Sequence, residues 1–232
     1  MPEHTLIERH DKRAELVLNR PEKRNALIVP MIDEMREAIE AFAADEGVSV
    51  ILIRGAGGTF CSGMDLEARR ADPPPAWLPR SQEAWADFHA AVWACAKPVV
   101  GAVERAAVAG GTSLCFACDF IITGETAKIG ATEARMGMTN APMNLAWLLV
   151  RWGYNAAVQI TQSAKLYSGR EIRDMGLAFD CVPDDQVLDR ARALADELCQ
   201  NPAPAMMAMK RTVQRASGID FPALLKQLQG RA

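Results

Sequence analysis

The chain is poor in the side chains that usually announce chemistry. Its 232 residues include only three histidines and two tyrosines, and 26 Lys+Arg against 29 Asp+Glu leave a net charge of −3. That balance gives no positive field to attract nucleic acid, so an anionic ligand must be held by local basic groups and backbone N–H groups. No apolar run approaches the roughly 20 residues that cross a bilayer, and no charged-then-apolar leader opens the chain. Low-complexity tracts and short-period repeats are also missing. Six cysteines are present, at 61, 95, 115, 118, 181 and 199. Cys115 and Cys118 form a C-x-x-C, but no second pair stands at zinc spacing, and His4, His10 and His89 are distant in sequence. Most of the cysteines sit in apolar runs, so they read as small buried hydrophobes and as reduced thiols of a cytoplasmic protein. The expectation is no metal, no nucleic acid and no membrane.

What the chain does have is apolar substance, 50% of residues, enough for one compact core. Its organising stretch is Val99 to Thr123: a β-type run to Val103, small residues through Ala109-Gly110-Gly111, an apolar run Leu114 to Ala117, and a second strand-like run from Phe120. This reads as strand, tight turn, short buried helix, strand. A glycine pair before a helix permits close approach of another group. The first N–H groups of that helix lack intrahelical partners and lie at its positive end. A second glycine-rich turn, Gly55-Ala-Gly-Gly-Thr-Phe-Cys-Ser-Gly-Met-Asp-Leu66, follows a strand at 49–54. Two such turns can aim two N–H groups at one oxygen, which is how an oxyanion hole is made.

Around these stretches the pattern is mixed. Thr5–Arg9 and Ala14–Asn19 read as a hairpin about a charged turn. Pro30 opens a helix to about Ala44, with Met31, Met35, Ala38, Ile39 and Phe42 on one face. Three consecutive prolines, 73–75, exclude a regular helix or central strand there. Ser81–Cys95 reads as a helix that carries His89 as a structural residue. Beyond Asn144 helices dominate: Leu145–Trp152, Ala156–Ser163, Glu171–Met175, Asp184–Cys199 and Pro204–Ala216. Periodicity alone therefore gives an α/β half followed by a helical half.

Four segments in order resemble the crotonase superfamily, the enoyl-CoA hydratases and isomerases. They are Leu16-Val-Leu-Asn-Arg-Pro-Glu-Lys-Arg-Asn-Ala-Leu27; Phe60-Cys-Ser-Gly-Met-Asp-Leu66; Lys97-Pro-Val-Val-Gly-Ala-Val103 with Ala109-Gly110-Gly111 and Cys118-Asp119; and Ala127-Lys-Ile-Gly-Ala-Thr-Glu133. The resemblance covers roughly residues 5–215. It implies an α/β fold, a crotonase-like spiral of ββα units over 1–165, with two roughly perpendicular sheets. A helical C-terminal oligomerisation region over 166–232 is implied to build homotrimers or homohexamers. It also implies an acyl-CoA thioester substrate, with coenzyme A carried as part of that substrate and no separate cofactor.

Carried over by motif position, the amides of Met64 and Gly110 are the two oxyanion donors, and Glu133 is the acid/base. The same transfer places coenzyme A and acyl contacts at Lys23, Arg24, Ala26, Cys61, Ser62, Asp65, Leu66 and Gly111. The chain departs from the family hydratases at Ser113, which stands where they carry a second glutamate. A serine hydroxyl can orient water but is a poor acid or base at neutral pH. Double-bond isomerisation with Glu133 as the single proton shuttle is therefore preferred. Hydration or hydratase-lyase chemistry by Ser113 and Glu133 is the alternative, and a non-catalytic acyl-CoA binder the third. Neither Tyr154 nor Tyr167 falls in an alignable motif. Asn140-Ala-Pro-Met-Asn144 replaces the glycine-rich turn of many hydratases, and the chain stops at Ala232, before the segment many members fold over coenzyme A.

Overall fold

The computed structural model describes residues 4–138 and 141–230. The expected hairpin is β1 (Thr5–His10) and β2 (Arg13–Leu18), paired antiparallel. Helix α1 (Val29–Ala44) returns the chain to β3 (Val50–Gly55), parallel to β2. A short helix α2 (Leu66–Arg70) precedes the prolines, and α3 (Ser81–Ala94) follows them. Then come β4 (Val99–Val103), β5 (Ala106–Val108), α4 (Gly110–Ala117), β6 (Phe120–Gly124) and β7 (Lys128–Gly130). The remaining elements are α5 (Pro142–Ser163), β8 (Tyr167–Ser168), α6 (Gly169–Asp174), β9 (Asp180–Val182), α7 (Val187–Cys199), α8 (Ala203–Ala216) and α9 (Phe221–Leu228).

Among the described residues these strands form a six-stranded sheet, β1-β2-β3-β4-β6-β9, and a three-stranded sheet, β5-β7-β8. Strands β2 to β4 are buried along nearly their whole length. This accounts for the continuous rather than alternating apolar runs of β3 (Val50 to Ile53) and β4, since parallel sheets are covered on both faces. One face packs on α1, α3, α4 and α5; α7 covers the other through Val187, Ala191, Leu194 and Ala195. A buried carboxylate ties that helix to the sheet: Glu15 of β2 is fully buried and accepts from Arg192 of α7 at 2.9 and 3.0 Å and from Arg54 of β3 at 2.8 Å.

The region beyond residue 165 is helical, as expected, but it also supplies β8 and β9, one strand at the edge of each sheet. Such strands, of two and three residues, are too short to show a period. The two helices expected on either side of residue 154 are present as the two arms of α5, which join across a kink at Gly153, whose φ of 80° and ψ of −172° break the helical path. His89 is fully buried among Trp85, Phe88 and Trp147, and its Nδ1 accepts from the Trp147 indole at 2.8 Å. Burial pushes its pKa down to about 3, so it packs as a neutral ring. Cys115 and Cys118 are buried free thiols. Among the described residues no helix is long and apolar enough to cross a membrane.

Candidate active site

Two backbone crossings build the site. In the first, the chain leaves β3 through a turn with Gly57 and Gly58 at positive φ. The buried Asn25 holds that turn, donating from Nδ2 to the carbonyls of Ala56 (3.0 Å) and Thr59 (2.6 Å). The segment after it pairs with β5: Cys61 N donates to Ala106 O (3.0 Å) and Val108 N to Cys61 O (3.1 Å). Leu27 then grips both neighbours of Met64, donating to Gly63 O (2.8 Å) and accepting from Asp65 N (2.9 Å). The Met64 amide itself is left without a described acceptor.

In the second crossing, β5 ends at Ala109, whose φ of 51° and ψ of −114° are costly for a residue with a Cβ. This kink turns the chain directly into α4, and Gly110 becomes its first residue, with an amide that the helix cannot satisfy. A Cβ on Gly110 would stand 3.6 Å from Met64 N. An amide nitrogen lies about 2.5 Å from its own residue's Cβ position by standard bond lengths, so the two amide nitrogens are at most about 6 Å apart. That separation lets both reach one oxygen at about 3 Å each.

Both residues line one cavity of about 220 Å³, and Glu133 lines it too. Glu133 opens the 3-10 turn Glu133–Met136, just after β7. Its Oε1 accepts from Asn144 Nδ2 at 3.0 Å, while its Oε2 is buried without a partner. Burial raises its pKa above the ordinary carboxylate value, against the lowering effect of its own backbone N–H and of Asn144. Glu133 is the one carboxylate among the described residues lining this cavity, and Arg69, exposed at the mouth, the one cation. Leu66, Trp85, Met136, Met138 and Met143 give the rest an apolar wall.

The other carried-over residues separate. Ser113 lines the cavity, but its hydroxyl donates back to Gly110 O at 2.8 Å. Ser62 and Leu66 line it as well. Cys61 is fully buried, and both its backbone groups take part in pairing with β5. Gly111 is buried against it: a Cβ there would lie 2.2 Å from Cys61 O, which makes it a packing glycine. Asp65 caps α2, accepting from Ala68 N at 3.0 Å, and pairs with Arg20 at 3.0 Å. Ala26 is buried, its carbonyl accepting from Arg20. Lys23 and Arg24 are exposed on the turn beside Ser62; Lys23 pairs with Glu67 at 2.5 Å. Tyr154 is 73% exposed and Tyr167 bonds Ser163 at 2.9 Å; neither lines the cavity. Asn140 lies outside the described residues.

Sequence reasoning missed Asn144. It sits in the first turn of an apolar helix, where an asparagine reads as an ordinary helix-start residue, and no spacing rule ties it to Glu133. Asn25 was missed similarly; its one signal is that asparagine tolerates the left-handed backbone it adopts, φ 54°.

Two sheets of this topology, joined by a helix whose first amide meets a glycine-rich turn, are a crotonase-type spiral. Solved structures bear this out. An enoyl-CoA hydratase/carnithine racemase from Magnetospirillum magneticum superposes with a TM-score of 0.84 at 26% identity, over 93% of this chain and 82% of that one. An enoyl-CoA hydratase/isomerase family protein from Hyphomonas neptunium gives 0.85 at 29% identity, over 93% and 83%. The family model for enoyl-CoA hydratase/isomerase matches residues 8–231. Enoyl-CoA hydratase EchA19 from Mycobacterium tuberculosis is 31% identical over 211 residues, 90% of this chain and 79% of that one. The chain belongs to the enoyl-CoA hydratase/isomerase family.

Proposed function

We propose that the protein is an acyl-CoA enzyme that moves a carbon–carbon double bond within an enoyl-CoA thioester. The observation that supports this best is the single carboxylate: Glu133 shares the cavity with the Met64 and Gly110 amides, and no second acid lines it among the described residues. Glu133, ionised, takes a proton from the carbon next to the thioester of a 3-enoyl substrate. The electron pair passes through the alkene and carbonyl to the oxygen, giving a dienolate. The two amides hold that negative oxygen, and their fixed orientation costs no rearrangement as charge develops. The carboxylic acid then returns its proton to the far carbon, the 2-enoyl thioester forms, and the carboxylate is restored. Burial suits Glu133 to both roles, because its raised pKa lies nearer working pH. Ser62 lines the cavity and bonds the carbonyls of Lys23 and Arg24 on the exposed turn, which supports assigning these three residues to the coenzyme A moiety. The Lys23–Glu67 pair is exposed, so exchanging it for a phosphate costs little.

Hydration is the second reading, favoured by the name of the Mycobacterium tuberculosis relative, an enoyl-CoA hydratase. Turnover in oxygen-18 water separates the two: isomerisation leaves the product unlabelled, and hydration inserts the label. Ser113 sharpens the test. Its proton already bonds Gly110 O, so Ser113→Ala is expected to lower turnover about threefold or less under isomerisation. A loss of 100-fold or more, with label in the product, would establish hydration. Binding without turnover across a broad acyl-CoA panel would leave a non-catalytic binder.

The same proposal includes assembly as a homotrimer or homohexamer. Helix α8 has no buried residue and exposes Met209 and Val213 at 70% each, an apolar face that subunit packing would cover. Light scattering is expected to give three or six chain masses at micromolar concentration; a monomer would refute it.

A further inference from the structure

We propose that Asn144 is the positioning residue that holds both halves of this site in register, fixing Glu133 and the Ala109–Gly110 peptide with one side-chain amide. The inference rests on the reading of Glu133 and the Gly110 amide given above. Asn144 Nδ2 donates to Glu133 Oε1 at 3.0 Å and to Ala109 O at 3.2 Å. Both partners are acceptors, so the amide must present its NH₂ to them, and its orientation follows from the network.

The grip on Ala109 O matters because of peptide planarity. In a trans peptide the carbonyl of one residue and the N–H of the next point in opposite directions from one rigid plane. Holding Ala109 O from the α5 side therefore aims the Gly110 N–H away from α5, toward Met64. Ala109 needs such holding, because its backbone sits outside the regions favoured for residues with a Cβ. Its carbonyl also receives Thr112 N (2.9 Å) and Ser113 N (3.3 Å), and its own N–H donates to Gly130 O (3.0 Å).

Helix α5 then clamps both ends of α4. Asn144, in the first turn of α5, holds the residue before α4. Arg151, two turns later, donates to the carbonyls of Phe116 (2.9 Å) and Asp119 (2.8 Å) and to that of Cys118 at the end of α4. With Asn144 on Glu133 as well, the arm of α5 before Gly153 sets the distance between proton shuttle and oxyanion donor. Asn144 is 2% exposed, and its Oδ1 is buried with no partner. An unsatisfied buried acceptor is a cost that a side chain serving only to fill space would not carry.

The test separates this role from simple packing by following protonation as well as rate. Among the described residues the other charged group lining the cavity with Glu133 is Arg69, and Arg135 stands exposed on its own turn; no described ion pair reaches the carboxylate. Asn144 donates to the charged form and so favours it. Asn144→Ala is expected to raise the Glu133 pKa, shifting the acid limb of kcat/KM to higher pH. It should lower kcat at least about tenfold with KM little changed, because both misplaced groups act in the transition state. Asn144→Asp keeps the shape, guards against a folding failure, and places a second carboxylate against the first, so its limb should move further in the same direction. The Glu133 carboxyl band in infrared difference spectra, assigned with Glu133→Gln, reports the same titration without any substrate. A band shift without isomerisation would sustain the positioning role while refuting the proposed reaction. An unmoved titration in both variants, or a loss confined to KM, would overturn the proposal.

Discussion

Replacing Glu133 by glutamine is expected to remove at least about 100-fold of turnover, the low end of what a positioned acid/base contributes, while acyl-CoA still binds. The exchange is nearly isosteric. It leaves the apolar wall, the two backbone amides and the exposed turn at Lys23 untouched, the groups to which the proposed function assigns binding. What it removes is the group proposed to accept and return the proton. The pH dependence of the wild type should show the same group. Burial raises the Glu133 pKa, so the acid limb of kcat/KM is expected above the ordinary carboxylate range, with activity rising as pH rises and the carboxylate forms. In Glu133→Gln any residual activity should lack that limb. Equal turnover by variant and wild type on a competent 3-enoyl-CoA would remove Glu133 from the mechanism. Loss of binding together with loss of turnover would show that its contribution is structural.

Much of this site is legible in the chain because it is built from backbone, and backbone demands leave glycine-rich marks. Gly55 to Gly63 and Gly110-Gly111 flag two turns where the chain comes close to another segment, and the structure brings those two turns together. Strands β3 and β4 announce themselves through the apolar runs Val50 to Ile53 and Val99 to Val103 because both faces of their sheet are covered. What sequence does not carry is the long-range pairing of single polar side chains. Asn144 meets Glu133 and Ala109 across 11 and 35 residues, and asparagine at a helix start is too common to signal either contact. Strands β8 and β9 escape for a different reason: their place is set by the edges they join, not by their own few residues. Motif transfer does not distinguish Cys61, Asp65 and Gly111, which are buried and do not line the cavity, from Ser62 and Leu66, which do. The first three support the site from behind, so motif position alone cannot separate them from the groups that face the cavity.

The glycine pair at the start of α4 provides the second large effect, because its two members do opposite things. A Cβ on Gly111 would lie 2.2 Å from Cys61 O and 2.9 Å from Cys61 C, backbone atoms fixed by pairing with β5. Neither side can yield without parting the 61–63 segment from β5, and that contact sets the spacing of the Met64 and Gly110 amides. Gly111→Ala is therefore expected to cost about 3 kcal/mol or more, at the upper end of overpacking, and to lower the melting temperature by roughly 10 °C for a chain of this size. Gly110 is different. Its φ is not positive, and a Cβ would make only ordinary contacts, 3.5 Å from Leu27 Cδ1 and 3.6 Å from Met64 N. Gly110→Ala should melt close to the wild type. The added methyl group, however, stands beside the Met64 amide, in the space an oxyanion must enter to lie about 3 Å from that nitrogen. Its loss should appear in kcat, about 100-fold if one donor is denied to the transition state. Thermal melts and steady-state kinetics on the two variants measure both effects. A stable, active Gly111→Ala would show that the close packing at Cys61 is not what holds the two amides together. A fully active Gly110→Ala would place the negative oxygen somewhere other than between Met64 and Gly110.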